Sequence, residues 1–212
     1  VALLRTGRPA GMTQAAGALR NMAANPNNRI LIAQADGIVP LVELLHTELE
    51  EAKTLAAGAL RNLAEHNADN KLSIAQANGI PPLVELLHSG SQEAQTHAAA
   101  AIWNVTRHEA NIATVALAAP VPGLVELLYS GAEEAKAQSA GALWSLAVDT
   151  DTSVIIIEAG GIPLLVALIS NGGSEAKKNA AGALWNLMFN EVAKKQIEGF
   201  GFNRERLERY RD

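Results

Sequence analysis

Hydrophobic positions recur along this chain in two alternating patterns. The first is rich in leucine and reads GIVPLVELL from Gly37, GIPPLVELL from Gly79, PVPGLVELL from Pro120 and GIPLLVALI from Gly161. The second is rich in alanine and reads AAGALRNMA from Ala15, AAGALRNLA from Ala56, AAAAIWNVT from Ala98, SAGALWSLA from Ser139 and AAGALWNLM from Ala180. Each pattern returns every 41 or 42 residues. A fixed period of this length predicts a solenoid, in which neighbouring repeats bury a continuous core.

The spacing of apolar residues within one period predicts three helices. In the second complete repeat, residues 70–78 form a short first helix, and Gly79 stands where a helix commonly ends in a left-handed residue. The two prolines that follow suit the first turn of a second helix, whose one polar residue, Glu85, marks the solvent side. A longer third helix is predicted from about Gln92 to Arg107, with one buried face formed by Ala98, Ala101, Ile102 and Val105.

The order of these elements resembles the armadillo repeat over about residues 1–200. The short first helix, the Gly-Ile-Pro turn, the Leu-Val-Glu-Leu-Leu second helix and the Ala-Ala-Gly-Ala-Leu-x-Asn-Leu third helix recur in the family's order. The resemblance implies an all-α, right-handed armadillo-repeat superhelix (α-solenoid) with three helices per repeat. A two-helix HEAT array is the structural alternative, but it does not explain why a glycine-proline turn precedes each second helix.

The repeats divide the chain into six segments. We predict a partial N-terminal repeat at 1–24, complete repeats at 25–66, 67–108, 109–149 and 150–190, and a partial repeat or C-terminal cap at 191–212. Val1 lies inside a repeat, so we expect the chain to be a fragment of a longer protein. At the other end, Asn203 is a predicted N-cap of a last helix that rests Leu207 and Tyr210 on the array.

One turn departs from the repeated pattern. Pro120 stands where the other three complete repeats have glycine. Because proline cannot take a positive φ, we expect this turn to differ locally and the stacking of the repeats to be slightly irregular there.

Composition and charge argue against several classes of protein. The net charge is −5, whereas nucleic-acid-binding modules usually carry a basic excess, so no nucleic-acid partner is expected. The chain has no cysteine, which excludes disulfides and thiolate metal sites and fits a reducing compartment. No apolar run approaches the roughly 18 residues that a membrane span needs, and no signal peptide opens the chain. We therefore expect an intracellular protein, cytoplasmic or nuclear, without a membrane span.

One phase of the third helices carries a polar residue in every repeat, and we call these the ladder residues: Asn21, Asn62, Asn104, Ser145 and Asn186. The resemblance implies that they line a concave groove and hydrogen-bond the main chain of an extended peptide. A carboxamide suits this role because it offers both a donor and an acceptor, whereas the shorter serine cannot make the same paired contact. The alternative is that the asparagines brace neighbouring repeats.

The residue before each ladder position is large and either cationic or aromatic: Arg20, Arg61, Trp103, Trp144 and Trp185. The tryptophan rings either pack between adjacent third helices or form a stacking wall along the groove, where tryptophan offers a large area with few rotors. The arginines suit acidic or phosphorylated side chains through bidentate pairing. The groove is therefore predicted to be basic at its N-terminal end and aromatic towards its C-terminal end.

Four residues before each ladder position the chain has glycine in four repeats and alanine in one: Gly17, Gly58, Ala100, Gly141 and Gly182. Glycine inside a helix costs about 1 kcal/mol relative to alanine, so this recurrence needs a reason. Close approach of the helices is one possible reason, and space left for ligand side chains at the bottom of the groove is the other.

Importin-α, a member of the armadillo family that the chain resembles, has tryptophan at this position. Its absence makes the chain more similar to the β-catenin and the plant or fungal vacuolar type.

These features together predict a non-enzymatic scaffold that binds an extended protein or peptide segment, with acidic or phosphorylated segments as candidates. No His-x-x-x-His pair, phosphate loop or nucleophile motif is present, so we expect no catalytic residue, metal or cofactor. The five histidines fall at different helix phases and are predicted to be solvated. Two alternatives stay open: the substrate-reading part of a U-box-type ubiquitin ligase, and an importin-α-like nuclear transport adaptor.

Overall fold

The computed structural model describes residues 1–211, in which helices alternate with short turns and no β-strand occurs. The chain begins with α1 (Ala2–Thr6) and α2 (Pro9–Met22). The first complete repeat contains α3 (Pro26–Gln34), α4 (Ile38–Leu44) and α5 (Glu50–Ala64), and the second contains α6 (Ala68–Gln76), α7 (Ile80–Ser89) and α8 (Gln92–Thr106). In the third, a 3-10 turn (Glu109–Asn111) precedes α9 (Ile112–Leu117), α10 (Val121–Ser130) and α11 (Glu133–Leu146). The remaining helices are α12 (Thr150–Glu158), α13 (Gly161–Asn171), α14 (Ser174–Leu187), α15 (Glu191–Gly199) and α16 (Arg204–Glu208).

These helices divide into two compact units, one from Val1 to Ala118 and one from Ala119 onwards. Within the first unit, the third helices α2, α5 and α8 pack against one another in sequence order. Within the second unit, α11 packs against α14, and α16 rests on α14. Each second helix packs against the third helix of its own repeat. This alternation confirms the predicted all-α solenoid with three helices per repeat.

The core lies between the second and third helices of each repeat. Its leucines share one phase of the second helices and are each 0% exposed: Leu41, Leu83, Leu124 and Leu165. Small alanines of the third helices complete the core, because their short side chains let neighbouring third helices pack closely along their length. On the other side of the second helices, Glu43, Glu85 and Glu126 are exposed, as the sequence predicts.

Local signals in the second repeat set the ends of its helices. The Asn67 side chain accepts a hydrogen bond from the Asn70 backbone N–H, and α6 therefore begins two residues before the predicted start. Prolines occupy the first turn of α7, where a missing N–H leaves no hydrogen bond unmade. Ser91 caps α8 by accepting from the Ala94 backbone N–H at 3.2 Å.

The turn between the first and second helices corrects one prediction. Gly79 has φ −76° and is right-handed, and the left-handed residue is the preceding one, Asn78, with φ 59°. Asp36 takes the same conformation ahead of Gly37. Glycine suits the position for a different reason: a Cβ on Gly79 would lie 3.0 Å from the Ile74 carbonyl oxygen, which is closer than side chains normally approach. At Gly79 the glycine therefore reflects a close approach of two backbones and not a positive φ.

Pro120 takes the same backbone conformation as glycine does in this turn, so the local difference expected there is not seen in its φ and ψ, while the irregular stacking of the repeats stays a prediction. Its φ and ψ are −74° and −17°, against −76° and −16° at Gly79. The left-handed residue is Ala119, with φ 53°. Proline is compatible because it needs only a φ near −65°, which is what this position has.

The C-terminal segment is ordered as a helix over Arg204–Glu208. The Asn203 side chain accepts a hydrogen bond from the Arg206 backbone N–H at 2.8 Å, which confirms the predicted N-cap. Leu207 is fully buried and Tyr210 is half-buried, as predicted. Asp212, the last residue of the predicted cap, lies outside the described residues.

Candidate functional site

Three ladder asparagines make the same hydrogen bond to the preceding third helix. In each case the side-chain amide nitrogen Nδ2 donates to a backbone carbonyl oxygen. Asn62 donates to Arg20 at 2.9 Å, Asn104 to Arg61 at 3.1 Å and Asn186 to Trp144 at 2.9 Å. The accepting residue is in each case the one before a ladder position. These asparagines therefore brace neighbouring repeats, as the alternative reading had it.

The brace leaves part of each carboxamide for a second partner. A carboxamide has two N–H donors and an acceptor oxygen, and the brace uses one N–H. Asn62, Asn104 and Asn186 are half-buried, and Asn21 is exposed. Ser145 instead donates its hydroxyl to the Gly141 carbonyl oxygen of its own helix at 3.3 Å. Bracing and peptide contact are thus compatible in one asparagine, and contact with a peptide stays a prediction.

Two of the recurrent glycines receive a side chain from the preceding third helix. A Cβ on Gly58 would lie 2.9 Å from Arg20 Cδ, and a Cβ on Gly182 would overlap the Trp144 ring. The residue before one ladder position therefore lies across the glycine of the next repeat. Trp144 is half-buried in this arrangement, so its ring both packs between third helices and keeps a solvent-facing part.

A charged cluster joins the three third helices of the first unit. Arg20 Nη1 lies 3.1 Å from Glu93 Oε1, which in turn lies 3.4 Å from His97 Nε2. Arg61 Nη1 is 3.5 Å from His97 Nδ1 on the other side of the ring. Burial lowers the pKa of His97, and the charges of Arg20 and Arg61 lower it further, while Glu93 opposes them. These surroundings favour the neutral form of the His97 ring.

The cluster corrects the prediction that the histidines are solvated, because His97 is only 7% exposed. A signal for this was present in the sequence: His97 stands seven residues, or two helical turns, before the ladder residue Asn104 and so shares its helix face. The equivalent position in the last complete repeat is Asn179, which is 2% exposed and donates to the Ala137 carbonyl oxygen at 2.9 Å.

A second set of polar residues with the same period was missed. Arg29, Asn70 and Asn111 stand 41 residues apart on the first helices and are all buried. Asn70 Nδ2 donates to the carbonyl oxygens of Leu63 and Arg29 at 2.9 and 3.3 Å. Arg29 donates to the Ala23 carbonyl oxygen and forms an ion pair with the Glu65 carboxylate. These residues tie each first helix to the end of the third helix before it, and their role is structural.

The aromatic end of the surface carries arginines of the C-terminal segment. The guanidinium carbon Cζ of Arg204 lies 5.4 Å from the centre of the Trp185 ring and 4.3 Å from that of Phe189. Arg211 Cζ lies 4.7 Å from the Trp185 ring and 5.9 Å from the Trp144 ring. Phe189, which is 70% exposed, was not among the predicted site residues, although it follows Trp185 by four positions.

A cleft of about 430 Å³ adjoins the last ladder asparagine. Its lining combines Asn186 with the exposed apolar side chains of Val148 and Phe189. Such a cleft can take an apolar side chain while the amide beside it orients a main chain.

The described residues contain neither a metal-binding cluster nor a single membrane-spanning helix. Within residues 1–211, no three histidine, aspartate or glutamate side chains gather in a metal-binding arrangement. In the same part of the chain no single helix is long and apolar enough to cross a bilayer, and two pairs of consecutive helices reach that composition only when both members are counted together.

The family described as Armadillo/beta-catenin-like repeat matches residues 25–65, 67–107 and 149–189. The chain belongs to this family. Armadillo proteins typically serve as non-enzymatic scaffolds whose stacked repeats form extended binding surfaces. The third repeat, which contains Pro120 and Ser145, has no match of its own.

Solved structures similar to this armadillo chain include engineered proteins. One engineered protein is 33% identical in sequence, with a TM-score of 0.84. The match covers 94% of this chain and 82% of the engineered chain. A computationally designed armadillo repeat protein for modular peptide recognition is 27% identical over 98% of this chain and 93% of its own, with a TM-score of 0.85. A designed armadillo repeat protein in complex with the peptide (KR)4 is 27% identical over 93% and 84%, with a TM-score of 0.81. Comparison with curated protein sequences gave no match.

Proposed function

We propose that this armadillo chain is a non-enzymatic scaffold that binds an extended segment of a partner protein along the surface of its third helices. The observation that carries the proposal is the brace of the ladder asparagines. Each brace fixes the orientation of a half-buried carboxamide and leaves an N–H and the oxygen for another partner. A side chain oriented before binding loses less conformational entropy when it meets a peptide main chain.

Two further features support a peptide as the partner. The cleft beside Asn186 is of a size to receive one side chain next to a main-chain contact. A designed armadillo repeat protein of the same fold was solved with a peptide bound. Because an amide reads the main chain and not the side chains, specificity falls to the residues around the ladder.

In the first unit, these surrounding residues favour an acidic or phosphorylated side chain. Arg20 already pairs with a carboxylate, that of Glu93, whose side chain is 58% exposed. An acidic group of the partner would replace Glu93 beside Arg20 and gain a charge-assisted hydrogen bond. Removing Glu93 should therefore strengthen binding of an acidic peptide.

A display screen of extended peptides against the chain tests this function. We expect selected peptides to bind more weakly to Asn62→Ala and Asn104→Ala than to the wild type. The matched control is Asn70→Ala, which loses hydrogen bonds between repeats of the same kind but lies buried on a first helix. Measured where all variants are folded, equal affinity of wild type, Asn62→Ala and Asn104→Ala would show that the third helices are not the binding surface.

The composition of the selected peptides then decides between the finer alternatives. Acidic or phosphorylated sequences whose binding improves in Glu93→Gln would support the role of Arg20 and Arg61. Lysine-rich sequences would instead favour an importin-α-like transport adaptor.

A further inference from the structure

Trp185, the last tryptophan that precedes a ladder residue, is covered in a different way from Trp144. The Trp144 ring lies against Gly182 of the next third helix. Trp185 stands on α14, the last of the third helices, and the guanidinium groups of Arg204 and Arg211 lie over its ring. Cationic side chains of the C-terminal segment thus occupy the place that a following repeat would take.

The contacts are selective within that segment. Arg209 pairs with Glu205 at 2.8 Å in solvent, and its side chain is 73% exposed. Arg204 and Arg211, by contrast, both contact the aromatic rings beside the last ladder asparagine. Arg211 Nε is buried and has no hydrogen-bond partner among the described residues. A buried N–H without a partner weakens the contact, so this occupant is held mainly by the rings and can be displaced.

The surrounding charge also suits a cation. A cleft of about 450 Å³ beside Phe189 has four charged lining residues, Glu191, Glu198, Lys194 and Arg204, so two carboxylates face one remaining cation once Arg204 leaves. The two carboxylates would attract a guanidinium or ammonium group to this end of the surface, and the aromatic faces would then hold it through cation–π contact.

We propose that Trp144, Trp185 and Phe189 form an arginine-binding site of the peptide surface, and that residues 203–211 of the chain occupy this site until an arginine-containing segment of a partner displaces them. The inference rests on the proposed peptide-binding function and names the side chain that this end of the surface accepts. Packed helices lie about 8–10 Å apart and an extended chain rises about 3.3 Å per residue, so two arginines about two to three residues apart would reach both tryptophans.

The test uses the full chain and the double variant Arg204→Gln/Arg211→Gln. The probe is a labelled (KR)4 peptide, compared with the same peptide in which each arginine is glutamine. Binding is followed by fluorescence anisotropy. We expect the double variant to bind the arginine peptide about tenfold more tightly than the wild type, a difference of about 1.4 kcal/mol, because the competing segment is released. The matched control is Arg209→Gln, which should bind as the wild type does.

Two measurements separate a releasable occupant from a permanent structural cap. Release should change the tryptophan fluorescence of the double variant before any peptide is added. Phe189→Leu, at a position 70% exposed and therefore tolerant of change, should weaken binding of the arginine peptide to the double variant. If the double variant loses thermal stability but binds the arginine peptide no better than the wild type does, the segment is only a cap and the inference is wrong.

The remaining outcomes distinguish this inference from the proposed function. If peptides selected by display bind but the arginine and glutamine probes bind equally, the arginine site is wrong and the scaffold function stands. If neither the probes nor the display peptides bind to the double variant, the proposed function fails as well.

Discussion

Polar side chains of the first helices donate hydrogen bonds to carbonyl groups near the ends of the third helices. The last carbonyl groups of a helix have no partner within it. Asn70 donates to Leu63 near the end of α5, and Asn111 donates to Val105 near the end of α8 at 3.2 Å. Asn70 thus supplies a donor to the Leu63 carbonyl oxygen, and Asn111 adds a second donor to the Val105 carbonyl oxygen, which also accepts from the His108 backbone N–H. The burial of each asparagine is offset by these bonds.

Asn70→Ala should lower the free energy of unfolding by about 1–3 kcal/mol, because it leaves the Leu63 carbonyl oxygen without a donor. The measurement is urea denaturation followed by circular dichroism. Asn62→Ala is the matched comparison, since Asn62 is only half-buried and water can replace its brace. We expect its loss to be smaller, about 0.5–1.5 kcal/mol. Equal losses in the two variants would contradict the distinction between a structural and a surface set of asparagines.

His97 should make the stability of the protein depend on pH. Its folded-state pKa is lowered by burial and by Arg20 and Arg61, against the opposing effect of Glu93. The unfolded histidine has a pKa of about 6.5. Between that value and the lowered folded pKa, only the unfolded chain binds the proton, so the free energy of unfolding falls as the pH falls.

Urea denaturation at about pH 7.5 and about pH 5.5 checks this expectation. The wild type should lose more stability on acidification than His97→Gln does. His46→Gln is the control because His46 is exposed, and it should behave as the wild type does. The same loss in His97→Gln and the wild type would show that His97 is not the titrating group.

Periodicity predicted where the ladder residues stand, but it could not tell which hydrogen-bond partner each one finds. The ladder asparagines and the set containing Asn70 and Asn111 share the same period and the same amide chemistry. They differ in burial and in which carbonyl oxygen lies within reach, and both depend on how two helices pack. The burial and the lowered pKa of His97 were missed for the same reason, since its surroundings come from three separate helices.

At the scale of elements, the turn before each second helix shows why helix positions were predicted better than the conformation of single residues. Apolar spacing located α7 and α8 to within about two residues, because many side chains contribute to a helical pattern. A single glycine carries less information: it is chosen either for a positive φ or for close approach of another backbone. At Gly79 the second reason applies, and the left-handed residue was therefore placed one position too late.

This turn gives a matched pair of substitutions. Ala119 has a φ of 53°, and a left-handed alanine costs roughly 1–2 kcal/mol, which glycine would remove. Glycine also raises the conformational entropy of the unfolded chain, and this offsets part of the gain. Ala119→Gly should therefore raise the free energy of unfolding by about 1 kcal/mol. Gly160→Ala should lower it by a similar amount, because Gly160 has a φ of 74° and its Cβ would meet open space.

Thermal denaturation of both variants measures the cost of the left-handed residue without a steric contribution at Gly160. A stabilising Gly160→Ala, or a destabilising Ala119→Gly, would show that entropy of the unfolded chain outweighs conformational strain at this turn.

At the scale of the whole molecule, the contacts of a repeat array are local, so its ends should open more easily than its interior. The C-terminal segment depends on a few side chains: Leu207 is fully buried, Phe202 is 5% exposed, and Asn203 caps the short helix α16. The sequence predicted this cap from the loss of apolar residues after Gly201. It gave no sign that the cap's arginines would lie on the ladder tryptophans, because that contact joins residues that only packing brings together.

Leu207→Ala should therefore release the C-terminal segment without unfolding the repeats. Removing a buried leucine costs about 2–5 kcal/mol, and a helix as short as α16 has little else to hold it on α14. Hydrogen exchange followed by mass spectrometry should show faster exchange in α14, α15 and α16 and unchanged exchange in α5. Glu208→Ala, at an exposed position of the same helix, is the control and should leave exchange unaltered. A uniform increase across all helices would mean that the chain unfolds as one cooperative body, and that the cap is part of its core and not a segment that a partner can displace.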